Sequence, residues 1–249
     1  SLGRRLGAGA RDTLTRNAVR TIHRVVEDYG EIVERDRRLV ESALRFQARE
    51  VEARLAAPSP AGARVWRAED FDRGAAPGED GEERRLARPR RDGPGDLAVS
   101  YAAPAIYVVK GVEWAKVAAD AGRLSGLADA WREIWRMAPD AILWQYVSLA
   151  EGLHCSYPGH GGYPEDYDPR TRPWYKEATT WEGPQWTAHH DVTTRLTALT
   201  VSLAVKRPDG EVAGVTAIDV PIEVALAPLR LPPMWAKDAA AMLVCAGPK

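Results

Sequence analysis

Apolar residues recur at helical spacing along the first part of the chain: Val19, Ile22, Val26, Tyr29 and Val33, then Val40, Leu44, Val51 and Leu55, with polar residues between them. Between Asp12 and Leu55 there is no proline and one glycine, Gly30. The pattern predicts one rod, roughly 65 Å long at 1.5 Å per residue. A break at Gly30 would give two ordinary helices, since glycine costs about 1 kcal/mol against alanine; the continuous rod is the expectation. Its other face, with Arg16, Arg20, Arg24, Glu27, Glu31, Glu34 and Arg38, mixes signs as a solvated or dimer-flanking surface does.

The pattern then fails. Residues 56–96 are rich in Pro, Gly, Ala and charge (APSPAGAR, RGAAPGEDGEERR, RPRRDGPGD), which predicts a long loop or flexible insertion. Its cluster Arg84, Arg85, Arg88, Arg90 and Arg91 has no aromatic residue between the charges for base stacking and reads as solvated. LAVSYAAPAIYVV (Leu97 to Val109) reads as extended. Val112 to Met137 reads as helical, with Trp114, Val117, Leu124, Leu127, Trp131, Ile134 and Trp135 turned to a core. ILWQYVSL and LHCSY, separated at Glu151-Gly152, predict a hairpin. A short helix is expected around Lys176 to Thr180. Strands follow at Gln185 to Asp191, Leu196 to Lys206 and Glu211 to Val220, the last two joined by the turn Pro208-Asp209-Gly210.

Short turns between strands argue for an antiparallel α+β sheet, and no glycine-rich phosphate loop follows any strand. PIEVALAPLRLPP predicts a short helix, and AAAMLVCAG the first strand of a further unit. The expected layout is a helix over 1–56, a loop or insertion over 57–96, an α+β module over 97–220, and the start of a second module over 221–249.

Composition narrows the function classes. The 249 residues, 45% hydrophobic, suffice for one good core or two modest ones. A net charge of -1 supplies no basic field for nucleic acid or anionic lipid. No apolar run reaches the roughly 18 to 20 residues of a membrane span, and SLGRRLGAGARD lacks the apolar centre of a signal peptide, so the chain is expected to be soluble. Cys155 and Cys245 are too few for a disulfide framework and read as buried small apolar groups.

The stretch YDPRTRPWY, Tyr167 to Tyr175, is the chemical centre of the sequence. Arg172 offers a planar fork suited to a carboxylate, and Trp174 and Tyr175 can wall a small pocket. Asp168 can cap a turn, Pro169 and Pro173 stiffen the loop, and Arg170 can pair with Asp166. Trp174 suits a core equally well. Asp191 closes one strand, and Asp219 lies in the apolar run GVTAIDV, where a carboxylate needs a cation or several donors. Asp219 could instead cap a helix starting at Pro221. If Arg172, Asp191 and Asp219 share one sheet face, the site has an anion end and a cation end, as a zwitterion such as an amino acid requires.

His189 and Asp191 alternate on a strand and could share a metal, with His190 pointing away. No HExxH, HxH or paired-Cys motif accompanies them, and no nucleophile elbow is present.

Over roughly Val99 to Val220, together with the preceding long helix, the sequence resembles the extracytoplasmic Cache sensor domains, specifically the PAS-like double Cache type of bacterial receptors. YDPRTRPWY fits that family's amino-acid pattern of Tyr, four residues, Arg, one residue, Trp, Tyr, and GVTAIDV fits its closing strand with a ligand-binding Asp. The resemblance implies that Arg172 and Trp174 hold a ligand carboxylate, that Tyr167 and Tyr175 line the pocket, and that Asp219 takes an ammonium group. Asp191 corresponds to a second acidic position. His189 stands where the pattern usually has Tyr; an amino acid remains the leading ligand, with a small carboxylate such as acetate, or an amine, behind it.

What this implies is the non-catalytic sensor domain of a membrane-anchored receptor in the periplasm. It would bind a small molecule without a cofactor, pair as a homodimer through the long helix, and contact no nucleic acid. The alternatives are a metal-dependent hydrolase using His189 and Asp191, and a structural interaction module that binds no small molecule.

Overall fold

A computed structural model of the chain describes residues 2–77, 84–87, 96–139 and 141–227. They belong to two units, one of residues 2–39 with 226–227, the other of the described residues between 40 and 225. Helix α1 runs unbroken over Leu2–Ala56. Gly30 lies within it, facing open space.

In the first unit the helix surface carries ion pairs one turn apart, Arg16 with Asp12 and both Arg37 and Arg38 with Glu34. Hydrogen bonds from Arg37 and Arg38 hold the Glu34 carboxyl down to about 2. Val19, Ile22 and Val26 of the apolar stripe are exposed.

The second unit is built on strands β1 (Arg84–Ala87), β2 (Asp96–Ser100), β3 (Ala105–Val108), β4 (Trp144–Leu149), β5 (Leu153–Tyr157), β6 (Gly159–His160), β7 (Gln185–His190), β8 (Thr197–Lys206) and β9 (Val212–Pro221). Six of them form an antiparallel sheet in the order β3-β5-β4-β9-β8-β7, and β1-β2-β6 form a small second sheet. Around them lie α2 (Ala68–Asp72), α3 (Trp114–Leu124), α4 (Ala128–Met137), α5 (Pro173–Thr180) and α6 (Ile222–Ala225). The architecture is α+β, with the long helix preceding an antiparallel sheet.

Alternation along the strands makes the two faces of the large sheet unlike. Val147, Leu153, Cys155, Val201 and Ile218 point one way and are fully buried. They share a core with Leu44, Ala48, Val51 and Leu55 of α1 and with Leu124, Leu127 and Trp131. Full burial of one such side chain stabilises by about 1.5 to 3 kcal/mol. Gln47 is a buried polar residue in this seam. Its Nε2 donates to Thr216 Oγ1 at 2.8 Å, to the Ala217 carbonyl at 2.9 Å and to the Tyr146 carbonyl at 3.4 Å. The opposite face carries Tyr146, His154, Ser156, Thr200 and Asp219, a polar set on buried strands.

Several expectations need correction. The compact unit starts at Val40, not Leu97, because the last turns of α1 supply the cover for the apolar face. Residues 56–96 are not all loop: they contain α2 and β1, which pairs with β2. Residues 112–137 form α3 and α4 separated by a 3-10 turn at Ser125–Leu127. Trp114 is 37% exposed instead of facing the core, because it starts α3, with Arg67 over its ring. Cys155 is buried as expected, whereas Cys245 and the strand expected at AAAMLVCAG lie outside the described residues.

Candidate functional site

The polar face of the large sheet is roofed by the segment after β5. Its first part is fixed by close packing: a Cβ on Gly159 would collide with the Ala103 carbonyl and the Phe71 ring, and one on Gly161 with the Asp72 carboxylate. The Gly162 amide donates to Asp72 Oδ1 at 2.8 Å, which ties the segment to the end of α2. His160, on β6 opposite Val99, is thereby pressed onto Trp144, ring centroids 4.1 Å apart.

The second part is YDPRTRPWY. Asp168 caps the 3-10 turn Pro169–Thr171 by accepting from the Arg170 amide at 2.9 Å. It also pairs with the Arg170 guanidinium through two bonds, at 2.9 and 2.7 Å. Arg170 reaches the Ala150 carbonyl at 3.0 Å as well. Its partner is thus Asp168, not Asp166, and its role is to pin the loop. Pro173 then opens α5, with Arg172 as the capping residue. Trp174 is buried edge-on against Tyr146 at 5.0 Å, and its carbonyl accepts from Ser202 Oγ at 2.9 Å.

Between roof and sheet lies a cavity. Trp144, Tyr146, His154, Ser156, His189 and Asp219 line it from the sheet. The roof contributes His160, Tyr163 and Tyr167, the start of α5 contributes Arg172 and Trp174, and the turn after β7 contributes Asp191 and Val192. It encloses about 350 Å³ of empty space counted to its mouth, of which about 20 Å³ admits the centre of a water-sized sphere. Six of the seven residues singled out by sequence therefore meet here: Tyr167, Arg172, Trp174, His189, Asp191 and Asp219. Tyr175 does not. One residue along α5 from Trp174, its hydroxyl feels Arg170, Glu151 and Asp168.

Asp219 is 2% exposed. Its Oδ1 accepts from Thr200 Oγ1 at 2.6 Å and from the Tyr146 hydroxyl at 2.9 Å, while Oδ2 accepts from no described residue. Burial pushes this carboxyl up to about 7, against the hydrogen bond from Thr200. It caps no helix: it lies within β9, with both donors on neighbouring strands.

Asp191 is partly spent on its own turn. Oδ2 accepts from the amides of Thr193 and Thr194 at 3.1 and 2.5 Å and from their hydroxyls at 2.8 and 2.6 Å. Oδ1 takes no bond from a described residue. His189 lies with Nδ1 3.0 Å from Thr200 Oγ1, and burial, then Arg172, lowers its pKa. His190 points away and is exposed.

Arg172 is half-buried, and its one hydrogen bond to a described residue is a long one, 3.4 Å to the His190 carbonyl. Among the described residues it forms no ion pair with Asp191, Asp219 or any other carboxylate. Among the described residues, no three His, Cys, Asp or Glu side chains converge as a metal would require.

Sequence reading missed Trp144, Tyr146, His154, Ser156, His160, Tyr163 and Val192 as cavity walls. The signal was available in β5, where Leu153, Cys155 and Tyr157 alternate with His154 and Ser156.

No family model and no curated protein matches the chain. Parts of it are similar to solved ligand-binding domains of chemoreceptors. The domain of Pseudomonas fluorescens CtaA in complex with L-serine is 28% identical over 35% of this chain and 38% of that one, with a TM-score of 0.34. For Pseudomonas aeruginosa PctC in complex with GABA the values are 34%, 35%, 41% and 0.34. For Campylobacter jejuni Tlp3 in complex with 4-methylisoleucine they are 20%, 47%, 47% and 0.39. The matched part thus spans less than half the length of each of these domains. No described helix is long and apolar enough to cross a membrane.

Proposed function

We propose that residues 40–225 form the ligand-binding part of a receptor, and that the cavity takes a small zwitterion, an α-amino acid. The carrying observation is a pair of unspent groups on one cavity: the Arg172 guanidinium, with no carboxylate partner among the described residues, and Asp219, with Oδ2 bare. A ligand carboxylate answers the first and a ligand ammonium the second. The Trp174 indole, at the same wall and without a hydrogen bond to any described residue, supplies a further donor beside Arg172. Asp191 Oδ1 offers a second acceptor for the ammonium.

The free space admits little more than a water, so entry of an amino acid requires the roof, residues 158–172, or the turn at 191–195 to shift. Two arrangements of unequal affinity are what a sensor needs. In this reading the protein is non-catalytic and cofactor-free. The whole receptor is anchored in a membrane with this part outside the cytoplasm, and α1 pairs with α1 of a second copy.

Thermal unfolding of the purified chain with a panel of amino acids, acetate and simple amines tests the reading. Amino acids should raise the midpoint in the wild type and not in Arg172→Ala. Equal shifts in both proteins, or none in either, overturn it.

A further inference from the structure

We propose that Ser156, Tyr163 and His160 form a hydrogen-bonded relay that selects ligands whose side chain carries a hydrogen-bonding group, a hydroxyl or a carboxamide, over aliphatic ones. This rests on the amino-acid reading of the same cavity. With carboxylate and ammonium held at Arg172 and Asp219, the side chain is left to the remaining wall, which is made of rings and polar tips. Val192 is the one aliphatic residue among the lining side chains.

The polarity of that wall is set from the backbone. His160, 3% exposed, has Nδ1 2.8 Å from the Gly161 carbonyl. A carbonyl only accepts, so Nδ1 carries a proton. The Tyr163 hydroxyl lies 3.0 Å from Nε2. It donates to Ser156 Oγ at 2.8 Å. Ser156, 1% exposed, so keeps its own proton for the cavity, and that calls for a hydrogen-bonding group on the ligand. Stacking of Tyr163 on His160 and Tyr167, at 4.8 and 5.5 Å, holds the relay in place. His154 stands beside it with Nδ1 2.7 Å from Ser148 Oγ, kept neutral by burial, which lowers its pKa to about 3.

Threonine and valine have nearly the same shape and differ in this one group, so calorimetric titration of the full chain with each, and with glycine and alanine, is the test. Threonine should bind about tenfold or more tighter than valine, the size expected when a buried polar group loses its partner. The ratio should fall towards one in both Ser156→Ala and Tyr163→Phe. If alanine and glycine bind but valine equals or exceeds threonine, the relay proposal fails and the amino-acid reading stands. A preference that survives both substitutions also overturns it. If none of the four binds, the amino-acid reading falls and takes the relay with it.

Discussion

Thr200 and Asp219 are direct cross-strand partners on β8 and β9, and the threonine hydroxyl donates to Oδ1 of the aspartate at 2.6 Å. Because that proton is committed, Thr200 Oγ1 accepts from His189 Nδ1 at 3.0 Å, which fixes the imidazole as an acceptor at Nε2. One threonine thus sets the state of two cavity side chains.

The first prediction concerns stability. In the folded protein Asp219 keeps its proton up to about pH 7, whereas the unfolded chain loses it near 3.8. Its contribution is therefore most favourable at low pH and is lost as pH rises through that window, by about 4 kcal/mol at most. Asp219→Asn cannot ionise and should gain on the wild type between about pH 4 and pH 7, read by urea unfolding. Parallel stability curves across that range would refute the assignment.

Ligand affinity should follow the same group. An ammonium at Oδ2 needs the carboxylate, so binding below about pH 7 must expel a proton, and affinity should climb by up to tenfold per pH unit before levelling off. Titrations in buffers of different ionisation enthalpy would reveal the released proton. A flat profile would place the ammonium elsewhere.

The two arginines of the loop should behave oppositely. Arg172→Ala is expected to weaken an amino-acid ligand by about 10- to 100-fold, the worth of a charge-assisted pair, with little change in the unliganded protein. Arg172→Lys should recover only part, since a point charge cannot match the fork. Arg170→Ala should instead cost about 1 kcal/mol of folding stability, a modest figure because its pair with Asp168 is partly solvated. Calorimetry and urea unfolding on all three variants separate binding from folding.

The boundary at Val40 is also testable. A chain begun at Leu97 lacks Leu44, Gln47, Ala48 and Val51 and leaves one sheet face bare, so it should aggregate, whereas one begun near residue 38 should fold. In the full chain Leu44→Ala should cost about 3 kcal/mol. Gel filtration and circular dichroism distinguish the outcomes.

The sheet was legible because its turns are local: Glu151-Gly152 and Pro208-Asp209-Gly210 each join strands adjacent in space. β1 was not, since RRLA sits amid charge and gains its strand only by pairing with β2. The charged end of the site was legible for a different reason. Arg172 and Asp219 break the patterns around them, an arginine among rings and an aspartate among apolar residues. The rest of the cavity was hidden because Trp144, Tyr146 and His154 are good strand residues wherever they point. Only the pairing of β4 with both β5 and β9 brings them onto the face that bears Asp219. His160 depends on a contact still more remote, the packing of two glycines against α2.

Tyr146 works on both sides of β4. Its hydroxyl hangs on Asp219 at 2.9 Å, and its carbonyl is an acceptor for Gln47 of α1 at 3.4 Å. Ala217, two residues before Asp219, lends its carbonyl to the same amide at 2.9 Å. A tug on that carboxylate consequently has one strand's thickness to cross before it reaches the last turns of α1, where Gln47 is held.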